Sequence, residues 1–124
     1  MLNTEKAYPT VGVKDIAVAR KFYEGPLGLQ EVSNEGPDFV AYRTNGSMLF
    51  VYKSDFAGTN EATGVTWIVA DVEKAVKDLK ARGVGFEHYD LPDTTREGDV
   101  HVSGEMKIAW FKDPDGNIHS IAEE

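Results

Sequence analysis

Few side chains in this 124-residue sequence can do chemistry. There are three histidines and no cysteine, so thiol nucleophiles, disulfides and zinc–thiolate centres are excluded. His88 stands in Glu87-His88-Tyr89-Asp90, at the end of a strand-like run. His101 stands in Gly98-Asp99-Val100-His101-Val102-Ser103-Gly104-Glu105, and His119 in Ile118-His119-Ser120-Ile121. An imidazole near a carboxylate is what acid–base work or a divalent ion needs, and His101 with Glu105 is the best such pair. A histidine without an identified partner is more often a surface group or an internally satisfied one than a ligand. That is the first reading for each of the three. Arg96 is the one cation in the stretch Asp90–Glu105 and would suit an anionic ligand group. The glycine-containing pieces Gly25-Pro26-Leu27-Gly28 and Gly58-Thr59-Asn60 lack the Lys-Ser/Thr of a phosphate-binding loop.

The whole chain bounds what these groups can serve. Its length fits one domain, 1–124, and 41% hydrophobic residues are enough for a core. The net charge of −8, with scattered basic residues, argues against nucleic acid and anionic membrane as partners. No apolar run approaches a membrane span, and MLNTEKAYPT lacks the regions of a signal peptide. A soluble cytoplasmic protein is the expectation.

The elements that must position these residues repeat. Val13-Lys14-Asp15-Ile16 and Val69-Ala70-Asp71-Val72 each end a strand-like run on an aspartate placed to cap a helix. In the second helix Val72, Ala75, Val76 and Leu79 form one apolar stripe, and Gly83 is a natural stop. Glu73 and Lys77 should pair on its other side. The first helix should end before Gly25-Pro26. Strands are expected at Tyr8–Val13 and Thr63–Val69 before the helices. Leu29–Ser33, Phe39–Thr44 and Ser47–Lys53 should follow the first helix, with Asn45-Gly46 as a hairpin turn. Gly85–Tyr89, Met106–Lys112 and Asn117–Ala122 should follow the second, the last two joined through Asp113-Pro114-Asp115-Gly116-Asn117. Asp90–Glu105 reads as a long acidic loop, either a lid or plain surface. The chain therefore reads βαβββ twice, in modules of about 5–54 and 62–123. Each helix covers one sheet face and leaves the other to bury against something.

Val13-x-Asp15, Phe22-Tyr23, Leu27-Gly28-Leu29, Val69-x-Asp71-Val72, Gly83-Val84 and Trp110-Phe111-x-Asp113-Pro114-Asp115-Gly116-Asn117 together resemble the vicinal oxygen chelate superfamily. That superfamily includes glyoxalase I, bleomycin-resistance proteins and extradiol dioxygenases. The resemblance covers nearly the whole chain. It implies an α+β fold of two βαβββ modules whose curved mixed sheets enclose a cavity. It also implies a homodimer, sometimes with modules exchanged so that both chains complete each cavity. Metal-dependent members hold an ion at four inward strand positions, which fall here at Tyr8, near Phe50, at Val65 or Gly64, and at Ser120. None of these is His, Gln or Glu.

Taking these positions as inward, the two-residue period of a strand adds Met48 and Tyr52 to Phe50, and Trp67 to Val65. The inferred lining is Tyr8, Met48, Phe50, Tyr52, Trp67, Trp110 and Ser120. Aromatic rings with polar tips and a thioether suit a flat organic molecule such as a drug or natural product. The negative charge would further favour a cationic one. The expectation is a metal-free small-molecule-binding protein. The alternative is a metal-dependent glyoxalase-like lyase or isomerase, or a dioxygenase, with displaced ligands such as His88, His101, Glu105 and His119. The enzyme could also be a metal-free isomerase or epoxide-type enzyme using a Tyr, His or Glu as general acid or base, and the third option is a stand-alone domain whose cavity is vestigial.

Overall fold

The computed structural model describes residues 1–33 and 36–123. Both helices start as the sequence requires. The Asp15 carboxylate accepts the backbone N–H of Ala17 at 2.8 Å and opens α1 (Ile16–Glu24), which stops at Gly25. The Asp71 carboxylate accepts from Lys74 N–H at 3.1 Å and opens α2 (Val72–Ala81). A second free donor of α2, the N–H of Val72, is taken by the Glu123 carboxylate at 3.0 Å. Glu73 pairs with Lys107 at 2.9 Å instead of with Lys77, because a strand beneath the helix offers the nearer ammonium.

The first sheet has the order β1 (Thr10–Val13), β4 (Ser47–Lys53), β3 (Phe39–Thr44), β2 (Gln30–Ser33). β1 runs parallel to β4 and the other pairs are antiparallel. Tyr8 falls outside β1; it precedes Pro9, which has no N–H to give the ladder. The second sheet begins in the same way, with β5 (Thr63–Val69) parallel to β10 (Ile118–Glu123), and β10 antiparallel to β9 (Met106–Lys112). The short β6 (Phe86–Glu87) pairs with β9.

The expected loop Asp90–Glu105 instead carries two strands in its second part. β7 (Thr95–Glu97) and β8 (Val100–Ser103) extend the second sheet beyond β9. Two-residue turns make this possible. Gly98-Asp99 joins β7 to β8 and Gly104-Glu105 joins β8 to β9, each with glycine at positive φ in the first turn position. Val100 is buried and Val102 half-buried, both packed beneath α2 in the second core, while His101 between them is buried on the opposite face. The second repeat is therefore βα followed by five strands, not three.

Each sheet buries one face under its helix. Val11, Val13, Val40, Leu49 and Val51 meet Ala19 and Tyr23 of α1. Ala109, Phe111 and Ile121 meet Val72 and Val76 of α2. The two cores are continuous, since Val65 of β5 lies in the first and Phe22, Leu27 and Trp67 touch both. The repeats thus join through their helix-covered sides, and the open faces of both sheets turn away from that junction. No helix among the described residues is long and apolar enough to cross a membrane.

Candidate functional site

The junction carries a buried polar chain. Trp67 Nε1–H donates to His119 Nδ1 at 3.0 Å, which places the proton of a neutral imidazole on Nε2. That nitrogen lies 3.0 Å from the Tyr23 hydroxyl, which donates to Asp113 Oδ2 at 2.7 Å. Asp113 also accepts the N–H of Asp115 and of Asn117 and the side-chain amide of Asn117. The same amide reaches the Gly12 carbonyl at 2.8 Å, tying the turn to β1. His119 is fully buried and stacks on Phe111 at 4.8 Å. Burial pushes its pKa down to about 4, against an opposing pull from Asp113. Burial, then the Asp113 charge, raises the Tyr23 phenol above its ordinary range. With both ring nitrogens engaged, His119 is a satisfied core histidine.

The open faces carry the candidate binding surface. On the first sheet Met48, Phe50 and Tyr52 share the face opposite α1, while Leu49 and Val51 are core. Phe50 stands edge-on to Tyr8 and to Phe39, with ring centroids 5.2 Å apart in each pair. Tyr52 is 42% exposed. Tyr8, Arg43 and Met48 line a depression of about 670 Å³ at one end of this face. On the second sheet Ser120 pairs in register with Trp110 of β9 and bonds Thr66 of β5, hydroxyl to hydroxyl, at 2.8 Å. Ile68, two residues beyond Thr66, is 58% exposed.

Trp67 and Val65 need correcting. Both lie on the helix side, not on the face of Ser120. Across β10 the partner of Ser120 is Thr66, while Val65 pairs with His119 and Trp67 with Ile121. The β5–β10 register shifts between Ile118 and His119, and a one-residue slip reverses every side chain of the strand. Gly64 and Thr66 therefore share the open face with Ser120, and Trp67 lines an apolar cleft between α2 and the segment that follows α1, with Leu27, Leu29 and Leu79. The structure brings Tyr8 to Phe50 and Ser120 to Thr66 and Trp110, the two groups lying on separate sheets.

His88 and His101 come within 6.4 Å, ring centre to ring centre, but His119 and Glu105 lie apart from them. His88 Nε2 is 2.7 Å from the Asp99 carboxylate, which also holds Lys80 at 2.6 Å. Those two partners keep Asp99 below the usual carboxylate range. Glu105 is exposed at the β8–β9 turn, about 10 Å along the strand from His101 at the usual rise of about 3.3 Å per residue. Among the described residues no group of three or more His, Asp or Glu is placed to hold a metal ion. His101 is buried on the open side of β8, its ring edge-on to Trp110 at 4.8 Å and near Tyr89. Tyr89 is in turn edge-on to Trp110 at 5.2 Å. Sequence reasoning missed Thr66, Phe39 and Tyr89; the first two follow from strand register once the open faces are known.

The family model of the Glyoxalase/Bleomycin resistance protein/Dioxygenase superfamily matches residues 7–120. Among solved structures, the fosfomycin resistance protein FosX of Listeria monocytogenes aligns at 15% identity and TM-score 0.71, over 97% of this chain and 93% of its own. Lactoylglutathione lyase of Agrobacterium tumefaciens aligns at 16% and 0.69, over 97% and 93%. A superfamily member from Sphaerobacter thermophilus aligns at 25% and 0.69, over 97% of both chains. Comparison with curated protein sequences gives no match. The first two likenesses speak for the fold alone. With the family match running from residue 7 to residue 120, the chain belongs to the glyoxalase/bleomycin resistance protein/dioxygenase superfamily.

Proposed function

We propose that this protein binds a hydrophobic or aromatic small molecule, such as a drug or natural product, on the open faces of its sheets, without a metal ion. The observation that carries the reading is the donor set at the inward positions where metal-dependent relatives hold their ion. Here those positions carry Phe50 on one sheet with Tyr8 packed against it, and Gly64 or Thr66 with Ser120 on the other. A phenol, a phenyl ring and two aliphatic hydroxyls are poor ligands for Zn²⁺, Ni²⁺ or Fe²⁺, which take imidazole and carboxylate. The same faces present rings and a thioether, Phe39, Met48, Tyr52 and Trp110, suited to a flat organic body.

The ligand cavity in this reading is shared between two copies of the chain. Within one chain the repeats meet through their helix sides, so the faces bearing Tyr52 and Ile68 look outward. Large apolar side chains exposed on a sheet face call for a cover, and a second copy supplies one by symmetry. A homodimer with two equivalent cavities follows.

The fold is shared with a fosfomycin resistance protein and with a lactoylglutathione lyase, so a resistance-type binder and a lyase are the readings to separate. The test is a thermal-shift panel on chelator-treated protein, using flat aromatics such as 2-naphthol. The reading expects stabilisation that metal does not enhance, lost in Phe50→Leu and Trp110→Leu. Light scattering should give twice the chain mass, and Ile68→Glu should give the monomer. Turnover of a hemithioacetal or an epoxide that requires added divalent metal would favour the enzyme instead.

A further inference from the structure

We propose that the cavity beneath the β7–β8 hairpin is a carboxylate subsite, taking the planar, singly charged end of a ligand whose ring lies against Trp110. The proposal rests on the reading of the open faces as ligand surface and names the chemistry of one end of that ligand.

The starting point is a pair of buried polar atoms. His101 is 3% exposed. Its Nε2 accepts the backbone N–H of Tyr89 at 3.0 Å, which leaves Nδ1 of the neutral ring as an N–H donor. Among the described residues neither that Nδ1 nor the Tyr89 hydroxyl has a hydrogen-bond partner. Buried polar groups in folded proteins are nearly always paired, so two orphans on neighbouring rings, 6.3 Å apart centre to centre, call for an explanation. Both side chains line one cavity of about 370 Å³, together with His88, Asp90, Thr94 and Arg96. Arg96 pairs directly with His101 across β7 and β8, so guanidinium and imidazole rise from the same face of the hairpin.

Two donors beside a guanidinium lack an acceptor. A carboxylate supplies one, with two oxygens in the plane that matches the Arg fork and lone pairs left for an N–H and an O–H. Asp90 on the same wall sets the charge. It opposes a dianion, so a carboxylate fits better than a phosphate monoester. The adjoining surface sets the rest of the molecule. Trp110 is edge-on to both His101 and Tyr89 and continues the open face toward Ser120, which places an aromatic body next to the acid. An aromatic carboxylic acid is the class that satisfies both.

The experiment compares naphthalene-2-carboxylate with naphthalene-2-carboxamide by calorimetry on the full chain, and follows the His101 imidazole by ¹⁵N NMR during titration with acetate. The expected result is at least tenfold tighter binding of the carboxylate, and a His101 response to millimolar acetate. Arg96→Gln, an exposed edge-strand position, should bring the two naphthalene probes within about twofold by weakening the carboxylate far more than the carboxamide. Tyr89→Phe should weaken the carboxylate several-fold. Equal affinity for both probes, with no acetate response at His101, overturns the subsite and leaves the aromatic surface standing. A His101 response to acetate with neither naphthalene bound supports the subsite and overturns the aromatic surface. No response to any of the three overturns both.

Discussion

The Tyr23 hydroxyl on α1 lies 3.0 Å from His119 Nε2 on β10, and through it the first repeat enters a hydrogen-bond chain that otherwise belongs to the second. Trp67 stands at one end of the chain and Asp113 at the other. The Asp-Pro-Asp-Gly-Asn turn, which looks like a simple hairpin link, is thereby a clasp between repeats, reinforced by Asn117 on the Gly12 carbonyl.

Removing the hydroxyl tests the clasp. Tyr23→Phe keeps the ring and strips one donor from Asp113 and one acceptor from His119, all buried. The expected loss is about 1–3 kcal/mol, the usual cost of leaving buried partners unmatched. Urea denaturation gives it as a lower midpoint with an unchanged slope.

The pH dependence follows from His119. Its pKa is pushed down to about 4 in the fold, against about 6.5 for an unfolded imidazole. The unfolded chain therefore binds the extra proton first. This contribution is fully present above pH 6.5 and is lost as pH falls toward 4, by up to about 3 kcal/mol at roughly 1.4 kcal/mol per pH unit. Denaturation midpoints at pH 7.5, 6, 5 and 4.5 should fall less steeply in His119→Phe than in the parent. Parallel curves for the two proteins would remove the histidine from the account.

The two tryptophans should behave oppositely. Trp67 faces the helices and donates to His119, whereas Trp110 faces the open side beside Ser120. Trp67→Phe should cost about 1–3 kcal/mol of stability, because it leaves the buried His119 Nδ1 without its donor, and leave aromatic ligand affinity within about twofold. Trp110→Leu should weaken a naphthalene-type ligand roughly tenfold, near the upper end of what one aromatic contact contributes. Paired denaturation and binding measurements on both variants separate the faces.

Gly58 is the point where the linker between the repeats passes the clasp. Its φ is +71°, and a Cβ there would collide with the Asp115 carbonyl. Gly58→Ala should therefore destabilise by more than the roughly 1 kcal/mol that alanine suffers at positive φ alone. The matching change at Gly46, also at positive φ but in open space, should show only the smaller loss on a thermal melt.

Local signals were legible in the sequence and long-range ones were not. Asp15, Asp71, Asn45-Gly46 and the clasp turn mark their elements because capping and turn chemistry act within a few residues. The β7–β8 hairpin was missed because Thr95–Glu97 is all polar and its turn, Gly98-Asp99, is weaker punctuation than Asn-Gly. The face of β5 was misassigned because Val65-Thr66-Trp67-Ile68-Val69 is apolar enough on both sides to hide its parity. The irregularity that fixes it lies in the pairing with β10, a strand about 50 positions away. The role of His119 depends on Tyr23 from the other repeat, and no periodicity within either repeat encodes that contact. The candidate site was legible as a set of faces: Met48, Phe50 and Tyr52 lie together, as do Ser120 and Trp110.

The most direct measurement is the affinity for 2-naphthol of protein stripped with a strong chelator, compared with the same protein after Ni²⁺, Zn²⁺, Mn²⁺ or Fe²⁺ is restored and excess removed, with metal content determined on each sample. The account predicts the same dissociation constant throughout and well under one equivalent of retained metal per chain. One equivalent of tightly held metal, with binding lost on stripping and regained on reloading, would contradict it.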